Sequence, residues 1–181
     1  NTNNTIVIKD SGITAAYLNE FEQMWGSDDQ TPDPQSAKYH KDKLYVGEHT
    51  YYVDDIKIEL YFSPMNRLGN KPSIMDRLVE VIKGEAQNDV VLQAFAITPS
   101  ISLSQTIWQM SATGDITLNG VIDPMFYYQY KNRGDIWASP EANLMNRTIL
   151  PANEMRKLHH KVMLIDAEHP DSSDQAITIA G

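Results

Sequence analysis

The sequence predicts an α/β fold: a mixed, largely parallel sheet with helices on both faces. Three observations carry that expectation. Helical and strand patterns alternate through the middle of the chain, with helices over Pro72–Glu85, Ser100–Ser111 and Pro124–Asn132 and buried strands over Val90–Ile97 and Ile116–Ile122. Such alternation joins parallel strands through crossover helices. Turn-forming residues punctuate it where helices should end, at Gly84, Asn88–Asp89, Gly114–Asp115 and Arg133–Gly134–Asp135. Composition agrees: 181 residues, 41% hydrophobic and 22% charged, are those of a soluble folded domain and not of a disordered, collagen-like or heptad-repeat chain.

The flanking elements follow from the same rules. Thr5–Ile8 reads as a short buried strand, and Ser11 as the cap of an amphipathic helix presenting Ile13, Tyr17, Leu18, Phe21 and Trp25 until Gly26 stops it. Residues 27–43 lose the apolar pattern in SDDQTPDPQSAKYHKDK, a linker or long loop. Lys43–Gly47 and Thr50–Val53 read as a polar hairpin, and Lys57–Phe62 as an alternating edge element leading into the sheet. Thr148–Leu150, His159–Asp166 and Gln175–Ala180 supply further strands. The expected division is a strand-helix segment at 1–26, the loop at 27–43 and the main domain at 44–181.

Charge and special residues narrow the functional classes. Fifteen basic against twenty-four acidic side chains leave a net charge of −9, so an anionic ligand needs a local basic patch, and broad coating of nucleic acid is disfavoured. With no cysteine, disulfides and thiolate metal sites are excluded and the compartment stays open. No apolar run reaches the roughly eighteen residues of a membrane span, and the expectation is that no signal peptide precedes the domain. The chain begins at Asn1 without an initiating Met, as a mature form or an excised piece would.

The segment that carries chemistry is LHHKVMLID, where His159, Lys161 and Asp166 form His-x-Lys-x4-Asp. Composition alone produces such a match roughly once in forty chains of this kind, so the spacing is informative and its context decides. On a strand, side chains two apart share a face, which puts His159 beside Lys161 and turns His160, Val162 and Leu164 to the other side. A neutral imidazole is a nucleophile near pH 7, and an adjacent ammonium can hold the non-bridging oxygens of a phosphodiester as phosphorus becomes five-coordinate. In-line displacement puts the leaving oxygen opposite the nucleophile, so its proton donor must come from the far side, from a second copy of the motif. Asp166 has the opposite parity from Lys161 and is expected first to fix a loop, while it is counted with His159 and Lys161 among the catalytic residues of the motif.

These residues resemble the signature of the phospholipase D superfamily. The likeness continues through YFSP at Tyr61–Pro64, QAFAIT at Gln93–Thr98, NGVID at Asn119–Asp123, LHHKVMLID and AITIAG, and looks like one repeat of that sandwich from about residue 44 onward. The first twenty-six residues look like the segment that follows the motif in a preceding repeat. The resemblance implies a metal-independent phosphodiesterase without cofactor, with His159 as nucleophile or acid/base and Lys161 as phosphate ligand, acting through a phosphohistidine. It further implies a second motif, from the same parent chain or a homodimer mate, and a phosphodiester substrate, for which the acidic balance favours phospholipid ahead of nucleic acid. The alternatives are a nuclease of the same superfamily and a non-catalytic half that scaffolds a partner repeat. The second alternative draws on two departures. The family's Gly-Ser-x-Asn segment would begin at Gly181, where the chain stops, and Asn1, Asn3 and Asn4 stand where an acidic residue often orients the histidine.

Other residues have plainer readings. His160 is expected to pack with a hydrogen bond, and His40, His49 and His169 to be solvated. A metal site would have to gather His159, His160, Asp166, Glu168 and His169, without any HExxH-like ligand spacing. Arg147, Arg156, Lys157 and Lys161 against Glu154 make a locally basic stretch that could focus an anion. Tyr127, Tyr128 and Tyr130 read as a packed helix face, and Met145, Met155 and Met163 as core filler.

Overall fold

The computed structural model of the chain describes residues 4–44, 49–63, 73–97, 101–131, 149–153, 157–168 and 176–181. Contacts divide it into two compact units, Ile6–Ile74 and Met75–Gly181 with Asn1–Thr5.

In the first unit, helix α1 spans Ser11–Trp25. Its cap is Asp10, whose carboxylate accepts the Ile13 amide at 2.8 Å, so Ser11 is the first helical residue and not the cap. Gly26 ends α1 at φ 79°, and a Cβ there would run into the Asp33 carbonyl and the Ala37 backbone. That crowding arises because the 27–43 loop folds back over the helix end: Asp33 N–H donates to Trp25 O at 3.0 Å, Lys38 N–H to Gln23 O at 2.8 Å and Tyr39 O–H to Met24 O at 3.0 Å. Ser36 and the Gln35 amide bond the exposed Asp33 carboxylate and hold it below the ordinary carboxylate range.

The expected apolar face of α1 is corrected. Ile13, Ala16 and Glu20 are the buried positions, while Tyr17, Leu18 and Phe21 are about half exposed. The helix is turned by the buried ion pair of Glu20 with Lys43, since a charge taken out of water needs its partner. Thr5–Ile8 forms no strand, and Val7 is 91% exposed. A short apolar run becomes a strand only beside another strand, and among the described residues it has none. The hairpin is also corrected. Its strands are β1 (Thr50–Val53) and β2 (Ile56–Glu59), paired antiparallel through Asp54 at φ 52°, and they make a two-stranded sheet of their own. Lys43 lies outside any strand, just after a 3₁₀ turn at His40–Asp42; residues 45–48 lie outside the described residues.

The second unit is an α/β structure on a mixed five-stranded sheet. Its elements are α2 (Ile74–Glu85), β3 (Asp89–Ala94), α3 (Ser102–Thr113), β4 (Thr117–Ile122), α4 (Pro124–Lys131), β5 (Ile149–Pro151), β6 (Lys161–Ile165) and β7 (Ile177–Ala180). The strand order is β5-β4-β3-β6-β7. β3, β4 and β5 run parallel, while β6 is antiparallel to β3 and β7 to β6. Registers Val90↔Leu118, Leu92↔Gly120 and Val90↔Ile165 align one face, whose Val90, Leu92, Leu118, Ile122, Ile149 and Ile165 form the core with Val81, Ile82, Ile107, Trp108 and Tyr127 of the three helices. Among the described residues, no helix is long and apolar enough to cross a membrane.

Gly120 belongs to this face, opposite Leu92. A Cβ there would sit 2.7 Å from the Leu92 carbonyl oxygen and 2.9 Å from Ile149 Cδ1. Gly120→Ala is therefore expected to destabilise the fold by about 1–3 kcal/mol, the usual cost of overpacking, measured by urea denaturation. A change below about 0.5 kcal/mol, the range of neutral surface substitutions, would contradict the close packing of β3, β4 and β5.

Candidate active site

The site forms at one end of the second sheet. Parallel strands β3 and β4 finish there at Ala94 and Ile122, and antiparallel β6 begins there, with Lys161 opposite Ala94. In sheets of this kind ligands bind beyond the carboxyl ends of the parallel strands. Lys161 shares the core-facing parity of Met163 and Ile165, but at the strand end its side chain reaches solvent. The carbonyl of Lys161 accepts the Gly181 amide at 3.0 Å, which ties β7 to the same corner.

The strand expected over His159–Asp166 starts two residues later, at Lys161, so His159 and His160 precede the ladder. His159 and Lys161 are nevertheless neighbours. Lys161 Nζ lies 3.5 Å from both His159 ring nitrogens and donates to the His159 carbonyl at 3.1 Å, and both side chains are exposed. At 3.5 Å the ring contact is at the outer limit of hydrogen bonding.

An aromatic wall backs the imidazole. The Phe95 ring, just past the end of β3, has its centroid 5.3 Å from that of His159 and packs edge-on to Phe126 at 4.6 Å. Lys157 Nζ lies over Phe95, 5.7 Å from its centroid, within range of a cation–π attraction. Lys157 and His159 thus both neighbour the Phe95 ring. Sequence reasoning singled out Lys157 only as part of a basic stretch and missed Phe95 altogether; its place immediately after a strand end was the available signal. Arg147, Glu154 and Arg156 lie outside the described residues.

Asp166 stands apart from this pair. Five residues of strand separate it from Lys161, about 17 Å, and its carboxylate points to the other end of β3, where it accepts the amides of Gln87 (3.0 Å), Asn88 (2.7 Å) and Asp89 (3.1 Å). Asp89 answers by accepting the amides of Ala167 (3.2 Å) and Glu168 (3.2 Å). Both carboxylates are buried, and Asp166 takes φ 54°, a conformation aspartate tolerates better than most residues. The geometry of Asp166 is that of a residue fixing the loop before β3.

The remaining histidines and tyrosines differ in part from expectation. His160 is half-buried, and among the described residues its enclosed Nδ1 has no hydrogen-bond partner, so the expected bond is not made at that atom there. His49 is not simply solvated: it stacks on Tyr61 at 4.4 Å and its Nδ1 lies 2.9 Å from Leu60 O. His40 is exposed, and His169 lies outside the described residues. Tyr127 is buried while Tyr128 is 53% exposed, so the helix face packs through Tyr127; Met163 packs against the core. The Tyr130 side chain, Met145 and Met155 lie outside the described residues. Among the described residues, no three His, Asp or Glu side chains converge as a metal site would require.

No protein-family model matches the chain, and a search of curated proteins finds no match.

Asp166→Ala strips three backbone amides of their acceptor. Stability is expected to fall by about 2–4 kcal/mol, the cost of leaving buried donors unsatisfied, read as a lower urea midpoint. An unchanged midpoint would contradict the loop-fixing role.

Proposed function

We propose that the chain carries a phosphodiesterase site of the phospholipase D type, with His159 as nucleophile and Lys161 as the ligand of the non-bridging phosphate oxygens. One observation carries this reading: an exposed imidazole with an exposed ammonium 3.5 Å from its ring nitrogens, at the end of the mixed sheet where parallel strands β3 and β4 finish. Lys157, over the Phe95 ring that His159 also neighbours, adds a second positive charge in a protein whose net charge of −9 would otherwise repel the substrate.

The reaction runs in two displacements. A ring nitrogen of neutral His159 attacks phosphorus, an N–P bond forms, and the P–O bond to the leaving alcohol breaks in line. The alkoxide leaves as the alcohol by taking a proton from the histidine of a second motif, supplied by the same parent chain or by a homodimer mate. Water or another alcohol, deprotonated by that second histidine, then attacks phosphorus, and the N–P bond breaks to restore His159. Lys161 offsets the charge that grows on the equatorial oxygens in both steps. No step draws on a metal or cofactor. Phospholipid is the favoured substrate, because an acidic protein lacks the broad basic surface on which tight DNA binding depends.

The test is hydrolysis of bis(p-nitrophenyl) phosphate with chelator present, followed by phosphatidylcholine vesicles set against single-stranded and duplex DNA. His159→Ala and Lys161→Ala are each expected to lower kcat by about a hundredfold or more, in line with the loss of a reacting or charge-stabilising group. Hydrolysis by His159→Ala at the wild-type rate would reject the catalytic assignment, and faster cleavage of DNA than of lipid would move the substrate class to nucleic acid.

A further inference from the structure

We infer that Asp123 is the positioning residue of this site: its buried carboxylate, by holding the Leu158 amide, sets where the His159 imidazole stands beside Lys161. The inference rests on the phosphodiesterase reading for its kinetic consequence and on the geometry alone for the rest.

Asp123 follows the last residue of β4 and is 3% exposed. One carboxylate oxygen accepts the Leu158 amide at 2.9 Å and the other accepts the Met125 amide at 2.9 Å. Its own amide donates to Ala94 O at 3.2 Å, and its carbonyl accepts the Tyr127 amide at 2.9 Å as α4 begins. One side chain thus joins the end of β4, the start of α4 and the segment entering β6. Hydrogen bonds from backbone amides to a carboxylate are charge-assisted and of the stronger kind.

The consequence lies one residue further on. Leu158 is itself buried, and His159 is its neighbour. On the other side, Lys161 is held by its pairing with Ala94 and by the Gly181 amide. Only His159 and His160 lie between these two anchors, so the backbone that presents the imidazole has little freedom while both hold. Asp123 does not touch the imidazole; it acts through the main chain. Replacing it with asparagine keeps the shape but offers one acceptor where two amides need one each, so the Nδ2 group faces one of the two donors and the joint hold on Leu158 and the start of α4 is broken.

Two measurements test this on the full chain. By hydrogen exchange, the wild-type Leu158 amide is expected to be protected; rapid exchange would overturn the contact. Asp123→Asn is then compared with Asp89→Asn, a buried carboxylate at the opposite end of the sheet. Asp123→Asn should shift the His159 ring resonances in NMR spectra and lower kcat on bis(p-nitrophenyl) phosphate about ten- to a hundredfold with KM changed less than about threefold, the signature of misplacement and not of lost binding. Asp89→Asn should leave the His159 resonances in place. Unmoved His159 resonances in Asp123→Asn, or loss of the fold in that variant, would overturn the positioning role. The resonance readout needs no turnover, so failure of the phosphodiesterase reading, seen as wild-type kcat in His159→Ala, is distinguishable from failure of this one.

Discussion

The pairing of β6 against β3 is the constraint on which the rest of the second unit depends. Because β6 runs antiparallel to a strand whose other neighbour is parallel, its first residue stands opposite Ala94, the last of β3, at the end of the sheet where β4 also finishes. A parallel β6 would have placed Lys161 near Asp89, at the end where β3 begins. Register matters as much as direction, since a slip of one residue moves every side chain to the other face of the sheet and would turn Lys161 away from the core-facing side it shares with Met163 and Ile165.

Buried carboxylates secure both ends of that pairing. At one end Asp166 and Asp89 exchange backbone amides across the start of β3 and the end of β6. At the other, Asp123 binds the Leu158 amide and the start of α4. In these contacts all three accept from main-chain donors. Strand pairing sets where Lys161 sits, and the carboxylates keep the adjoining loops from moving the corner. Exposed functional groups on a loop need such support, because solvent offers them none.

Much of this was legible in the sequence, for reasons particular to each element. The three helices and the strands of the sheet announce themselves by period and by turn residues, with Gly114 closing α3 one residue beyond Thr113. The nearness of His159 and Lys161 follows from residues two apart in extended backbone, although the strand itself starts only at Lys161. Asp166 could be read as turned away from Lys161 because five positions reverse the parity. Other features needed tertiary information. Thr5–Ile8 has the composition of a strand and no neighbour to pair with among the described residues. Glu20 looks like a solvated charge until Lys43, twenty-three residues later, buries it. The aromatic wall joins Phe95, Phe126 and His159 from separate elements, and no local pattern relates them. Asp123 is hidden for the same reason, since its amide partner Leu158 lies thirty-five residues away.

The central claim is that the His159 imidazole, with Lys161 beside it, takes a phosphoryl group. Quenching the full chain during turnover of bis(p-nitrophenyl) phosphate and mapping the products by peptide mass spectrometry tests this most directly. The account predicts an acid-labile, alkali-stable p-nitrophenyl phosphoryl adduct on the peptide containing His159. Turnover with that peptide unmodified, or with the adduct on another residue, would contradict it.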